Sequence, residues 1–227
     1  MYELRQERFT TPRGQPVSMW VRADTNDHNT LASCLTEDEY GLRQLHLEGK
    51  ALDIGAYTGG VTVALAVDNP NLHVTAIEPV PGNVELLLRN LAANDLMNRV
   101  TVVEGAAGDG SEVNIRYGYS GSELACHHAW VGNMSLLEEP GPENPHTLRQ
   151  MTSRTLLSMG HDFSFVKIDC EGCEWDIDLS SVPHIRGEWH PVRGHTRPEF
   201  LERLMDTHEV VFSGPEAGPG GFVAVWR

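Results

Sequence analysis

The sequence predicts an α/β domain with an open parallel sheet, and three stretches predict it. Lys50-Ala51-Leu52-Asp53-Ile54 is a short apolar strand that turns at Gly55 to Gly60 and continues through Val61 to Ala66 at helical spacing. Leu72 to Glu78 is a second strand; Pro79 and Pro81 break it, and Val84, Leu87, Leu88 and Leu91 follow as a helix to about Asn94. Phe163 to Asp169 is another apolar strand, and it ends in a row of acids.

The first unit is a cradle for a nucleoside cofactor, because glycines admit close backbone approach and a helix start offers free N–H groups. A dinucleotide site asks for G-x-G-x-x-G, yet Tyr57 stands where the second glycine would let a pyrophosphate approach, between Gly55 and Gly59. Asp53 at the strand end would repel a pyrophosphate and welcome an ammonium. These charges favour S-adenosylmethionine, which carries an ammonium and a sulfonium and no phosphate. Glu78 follows Asp53 by 25 residues and ends the next strand, where a nucleoside site holds ribose hydroxyls.

At 227 residues the chain suits one domain. The expected division is an N-terminal lid over 1–48 and a cofactor-binding core over 49–227. A formal charge of −15 argues against nucleic acid and anionic membranes as partners. Without a signal peptide or an apolar run of about 20 residues, a cytoplasmic location is expected. Cys34, Cys126, Cys170 and Cys173 are too few and scattered for a disulfide framework, so reduced thiols are expected. Cys170-Glu171-Gly172-Cys173 is formally a C-x-x-C, but no second ligand pair accompanies it, and small buried filler is the expected role.

Taken in order, residues 1–30 read as a lid rather than a core, with a strand at Val17 to Val21 and a polar loop from Arg22 to Asn29. Thr36, with Glu37 and Glu39, fits the cap of a helix through Tyr40, Leu42, Leu45 and Leu47. Val100 to Val103 is a third strand, and the loop Glu104 to Asp109 places Ala107 and Asp109 beside an adenine. Ser111 to Tyr117 alternates as an edge strand would. From about 118 to 146 periodicity fades into a loop-rich insertion containing His127, His128 and the breaker Pro140-Gly141-Pro142, the expected substrate-facing cover. After Phe163 to Asp169, Asp169, Glu171 and Glu174 stand at a strand end where open sheets bind ligands, although Glu174 also suits a helix start. Ile185 to His190 is a fifth strand that brings Glu188 and His190 to the same rim. Pro198 to His208 is an amphipathic helix, and Glu209 to Phe212 and Phe222 to Trp226 are closing strands joined by a Gly/Pro-rich turn over 214–221.

Three segments together resemble the FkbM family of methyltransferases: Leu52-Asp53-Ile54-Gly55-Ala56 with Gly59, Ile77-Glu78-Pro79 with its helix, and Val166-Lys167-Ile168-Asp169-Cys170-Glu171-Gly172-Cys173-Glu174. The last is close to the family pattern K-I-D-V-E-G-A-E, with Cys170 and Cys173 in place of its small apolar residues. Asn26-Asp27 with Tyr40 is similar to the family's N-terminal approach segment, which adds Asp27 to the cofactor set. The resemblance spans roughly residues 20–226. It implies a class I methyltransferase (Rossmann-like) fold, a mostly parallel seven-stranded sheet with an antiparallel last strand, and O-methylation of a small natural product or sugar-containing metabolite. The insertion matches nothing in that pattern.

Methyl transfer needs the acceptor in line with the methyl and sulfur, and a hydroxyl acceptor needs a base. His190 is the expected base because its ordinary pKa is near neutrality, with Asp169 and Glu171 orienting it or the acceptor. A magnesium-type cation would instead find ligands in Asp169, Glu171, Glu188 and His190. A short-chain dehydrogenase is excluded, since neither Lys50 nor Lys167 has a tyrosine four residues before it. A non-catalytic S-adenosylmethionine-binding or assembly subunit would keep Asp53 and Glu78 and dispense with the base. The sequence sets no oligomeric state, and a homodimer is one arrangement it permits.

Overall fold

The computed structural model describes residues 3–118, 129–131, 146–190, 196–212 and 220–227. Its centre is a seven-stranded sheet. β3 (Gly49–Ile54), β4 (Leu72–Glu78) and β5 (Val100–Glu104) alternate with α2 (Gly60–Asp68) and α3 (Pro81–Ala93). β9 (Phe163–Ile168) and β10 (His184–Trp189) extend the sheet the other way, and β11 (His208–Phe212) and β12 (Gly220–Trp226) close it after α5 (Arg197–Met205). The strand order is β11-β12-β10-β9-β3-β4-β5, and β12 runs antiparallel to both neighbours. The order reverses between β3 and β9, which pair in parallel, so their carboxyl ends open onto the crevice where such sheets bind ligands.

The central strands β3, β4 and β9 are largely buried on both faces, as parallel strands covered on both sides must be. Ala51, Val74 and Ala76 face one cluster with Val61, Leu65, Leu87 and Leu91 of the helices. Leu52, Ile54, Ile77 and Ile168 face a second, with Trp175, Trp189 and Phe200. α5 begins in a capping box in which Thr196 and Glu199 satisfy each other's backbone N–H groups.

The N-terminal segment, expected as a lid, packs on the core. β1 (Leu4–Thr10) and β2 (Pro16–Arg22) form a hairpin, and Met19 and Val21 are wholly buried in the first cluster. Asn90 of α3 and Asn94 at its C-terminal cap fasten it, accepting the N–H groups of Trp20 at 2.6 Å and Ser18 at 3.0 Å. The helix expected from Thr36 lies one segment earlier, as α1 (Asp27–Leu35), with Thr36 as its C-terminal cap. Leu31, Cys34 and Leu35 give it a buried stripe at i, i+3 and i+4, which the polar run before them hides. Beyond it Asp38 and Gly41 take left-handed backbone angles, so only one short turn, Leu42–Gln44, forms.

β6 (Glu112–Gly118) is no edge strand either. It is the middle strand of a separate sheet, between β7 (Ala129–Val131) and β8 (His146–Thr152), with Ile115 wholly buried. Short α4 (Leu156–Met159) leads back to β9. His127, His128, Pro140-Gly141-Pro142 and most of the 214–221 turn lie outside the described residues. No described helix is long and apolar enough to cross a membrane.

Candidate functional site

A cavity opens where the ends of β3, β4 and β9 meet. Its walls are Ile54, Gly55 and Tyr57 from the glycine turn, Ile77 to Pro79 after β4, Gly105 to Ala107 after β5, and Asp169 to Glu171 with Cys173 after β9. Gly55 makes the junction possible: its φ is +76°, and a Cβ there would stand 1.8 Å from the carbonyl oxygen of Asp169. Because that obstacle is backbone, Gly55→Ala is expected to destabilise the fold by several kcal/mol, roughly the 3–5 of an exceptional substitution. Urea unfolding of the variant checks this, and a loss under about 1 kcal/mol would show that the turn gives way.

Glu78 is 4% exposed and stands in the cavity wall. Its Oε2 accepts Tyr57 N–H at 2.9 Å, and its Oε1 accepts Val80 N–H at 3.0 Å and Asn83 Nδ2 at 3.1 Å. A carboxylate offers about four acceptor positions, so Glu78 retains one for a ligand hydroxyl while it ties the glycine turn to α3. Burial raises its pKa, against the lowering effect of those three donors.

Other expected cofactor residues act at one remove. Asp53 is wholly buried; it accepts Thr62 Oγ1 at 2.6 Å and lies 3.4 Å from Lys167 Nζ, so it braces the turn from behind. Asp27, also wholly buried, holds Arg22 and accepts the Tyr57 hydroxyl at 2.6 Å, which fixes that ring at the cavity. Gly59 caps α2 in the left-handed region. Ala107 lines the cavity, whereas Asp109 accepts the Ser111 N–H and lines a separate hollow with Leu156 and Phe163.

A second lobe shares Thr30, Gly55, Tyr57, Asp169 and Glu171 with the first and adds Asn29, Glu39, Tyr40 and Glu188. Here the fourth and fifth strand ends converge on one imidazole. His190 Nε2 lies 3.4 Å from Glu171, 3.8 Å from Asp169 and 3.8 Å from Glu188. Its Nδ1 is 3.1 Å from Glu174 Oε1, which also accepts the His190 backbone N–H at 2.6 Å. Glu174 is thus the ring's holder, wholly out of solvent. Tyr40 donates its hydroxyl to Asp169 at 2.8 Å. Neither contact was readable beforehand, since both residues lie far along the chain from their partners.

Burial alone would lower the His190 pKa, but the hydrogen bond and charge of Glu174, with Glu171 and Asp169, push it up to about 9. Burial lifts Glu171 to about 7, with His190 opposing and Asp169, Glu174 and Glu188 adding to the rise. A histidine whose folded pKa exceeds its unfolded value contributes stability that is complete below about pH 6.5 and lost as pH rises through about 9. Urea unfolding at both ends of that window should show stability falling with pH, with a shallower fall in His190→Gln; an equal slope would mean that the carboxylates do not hold the charged ring.

A family model described as the methyltransferase FkbM domain matches residues 53–181, which include the glycine turn, Glu78 and the acid-rich end of β9. The chain belongs to the FkbM methyltransferase family. It is therefore an S-adenosylmethionine-dependent methyltransferase. No curated protein matches it. Among solved structures, yhhF of Escherichia coli, described as a methyltransferase, aligns over 98% of this chain and 99% of its own, with TM-score 0.53 and 13% identity. Precorrin-6y C5,15-methyltransferase of Geobacter metallireducens aligns over 96% of this FkbM-family chain and 94% of its own, with TM-score 0.49 and 16% identity. TrmK of M. capricolum, in complex with S-adenosyl-homocysteine, aligns over 88% and 66%, with TM-score 0.46 and 9% identity. At such identity the yhhF likeness is one of fold, the class I methyltransferase fold whose seven strands and antiparallel β12 are described above.

One expectation needs amending for this methyltransferase. Cys170 and Cys173 are joined in a disulfide, where reduced filler was expected, because the turn through Glu171 and Gly172 brings their Cα atoms within 5.5 Å. His190, the expected base, has its pKa pushed up to about 9 by the carboxylates around it.

Proposed function

We propose that this chain transfers the methyl group of S-adenosylmethionine to a hydroxyl of a small natural product or sugar-containing metabolite, with Glu171 as the base. The observation that carries this reading is that Glu171 stands in both lobes of the cavity with a pKa raised to about 7. When bound, the donor supplies a methyl group on a positively charged sulfur. Ile77, Pro79, Ala106 and Ala107 offer apolar walls for its base, and the spare acceptor position of Glu78 suits one ribose hydroxyl. A wall rich in carboxylates, Asp169, Glu171, Glu188 and Glu39, favours a cationic donor over an anionic one. Glu171 accepts the acceptor's proton as the hydroxyl attacks, and the His190 imidazolium neutralises the carboxylates around it. Tyr40 and Glu174 hold Asp169 and His190 in place. A pKa near the working pH suits a general base.

A second reading has a divalent cation lowering the acceptor's pKa, favoured by ligand atoms of Asp169, Glu171 and His190 that all lie within 4.8 Å of one another. Incubation with methyl-labelled S-adenosylmethionine and a panel of sugars, polyols and phenols, before and after exhaustive chelation, tests both. Labelled ether products that survive chelation support the base; activity restored only by magnesium supports the cation. Label on amines alone would refute O-methylation, and donor binding with no product from any acceptor would favour a non-catalytic subunit.

A further inference from the structure

Cys170 and Cys173 stand in the acid-rich stretch that follows β9, and the site chemistry above leaves them unused. β9 ends at Ile168, and the turn that follows carries Glu171 at φ +56° and Gly172 at φ +114°. Left-handed angles at two successive residues fold the chain back on itself, which sets the cysteine Cα atoms 5.5 Å apart, within the range a disulfide spans. Cys173 is wholly buried and Cys170 is partly exposed, and both belong to the cavity wall with Gly55 and Glu78. The bridge therefore meets solvent through the donor cavity. Glu171 rides inside the four-residue ring that the bridge closes.

We propose that Cys170–Cys173 is a reversible redox site in the wall of the donor cavity, opened by dithiols and shielded by bound donor or its demethylated product. The shielding rests on the donor reading above; the redox chemistry does not. In the opening step a dithiol's thiolate attacks the Cys170 sulfur, and the S–S bond breaks with its electron pair leaving on Cys173, which takes up a proton. The reductant's second thiolate then attacks its own sulfur in the mixed disulfide and releases Cys170, which is protonated in turn. Two electrons and two protons pass to the protein, and the reductant leaves as a cyclic disulfide. Closure is the reverse exchange with an oxidised disulfide such as oxidised glutathione. After opening, the Cys170 thiol has an acceptor in Glu174 Oε2, 3.5 Å from its sulfur.

The test is peptide mapping on the full chain, with iodoacetamide as the thiol probe and the buried free Cys34 as an internal control. After equilibration with oxidised glutathione, the peptide holding Cys170 and Cys173 should be two hydrogens lighter than its dithiol form and take no label. After dithiothreitol Cys170 should take label in the folded protein while the buried Cys34 does not, and Cys173 should take it once the reduced chain is denatured. S-adenosylhomocysteine at about ten times its dissociation constant should slow the reduction about tenfold. Two labelled cysteines after the oxidising step, or a separate glutathione on each, would overturn the redox site. Unchanged reduction in a sample where calorimetry finds S-adenosylhomocysteine bound would overturn its place in the donor cavity. If the bridge opens and closes but calorimetry finds no binding, the redox site stands and the donor reading fails.

Discussion

Glu171→Gln is expected to lower methyl-transfer turnover by a factor of about 100 or more while weakening donor binding only about a few-fold, since Asp169, Glu188 and Glu39 remain in the wall. The amide keeps the side chain's size and removes its capacity to take a proton. The wild-type rate should rise with pH through about 7, since the base works deprotonated, and decline above about 9 as His190 loses the charge that offsets its neighbours. The lower limb should vanish in Glu171→Gln. Steady-state kinetics across pH together with donor titration decide it. Turnover within a few-fold of wild type, or donor affinity falling in step with turnover, would make Glu171 a structural residue.

Lys167→Met is expected to cost as much stability as Gly55→Ala. Lys167 is 3% exposed; it donates to the carbonyls of Gly55 at 2.8 Å and Ile54 at 3.3 Å and stands 3.4 Å from the wholly buried Asp53. Its charge is the counterpart of a wholly buried carboxylate, and Asp53 Oδ1 has no hydrogen-bond partner among the described residues. Removing one member of such a pair costs about 3–5 kcal/mol, because the other is left charged in the interior. Asp53→Asn added to Lys167→Met should recover part of that loss, since the two sites are coupled. Urea unfolding of both variants checks it; a single variant within about 1 kcal/mol of wild type would mean that water or another cation reaches Asp53.

The sheet was legible because its strands are apolar runs closed by glycine, proline or acid, and the order in which they alternate with helices leaves few topologies. The convergence of Asp169, Glu171, Glu188 and His190 was legible for the same reason: strand ends in one parallel sheet share a rim. Charge state was not. Whether an acid meets a ligand or a buried lysine depends on which face of its strand it occupies, and Asp53 lies on the face that α2 covers, beside Thr62. The imidazolium of His190 depends on Glu174, whose position at the start of a short turn (Cys173–Trp175) also suits an ordinary helix-start acid. α1 was hidden because three apolar residues behind a polar run make a weak helical signal, and the hairpin because β1 presents polar or charged residues at five of its seven positions. The Cys170–Cys173 bridge needs two left-handed residues in a row, and only Gly172 advertises that in the sequence.

The central claim is that the cavity beside the Gly55 turn binds S-adenosylmethionine through Glu78, and calorimetric titration of S-adenosylhomocysteine tests it most directly. Wild type should bind, and Glu78→Ala should bind about 10- to 100-fold more weakly, the loss of one charge-assisted hydrogen bond of about 1.5–3 kcal/mol. Equal affinity in the variant, or wild type that binds NAD as tightly as S-adenosylhomocysteine, would contradict the account.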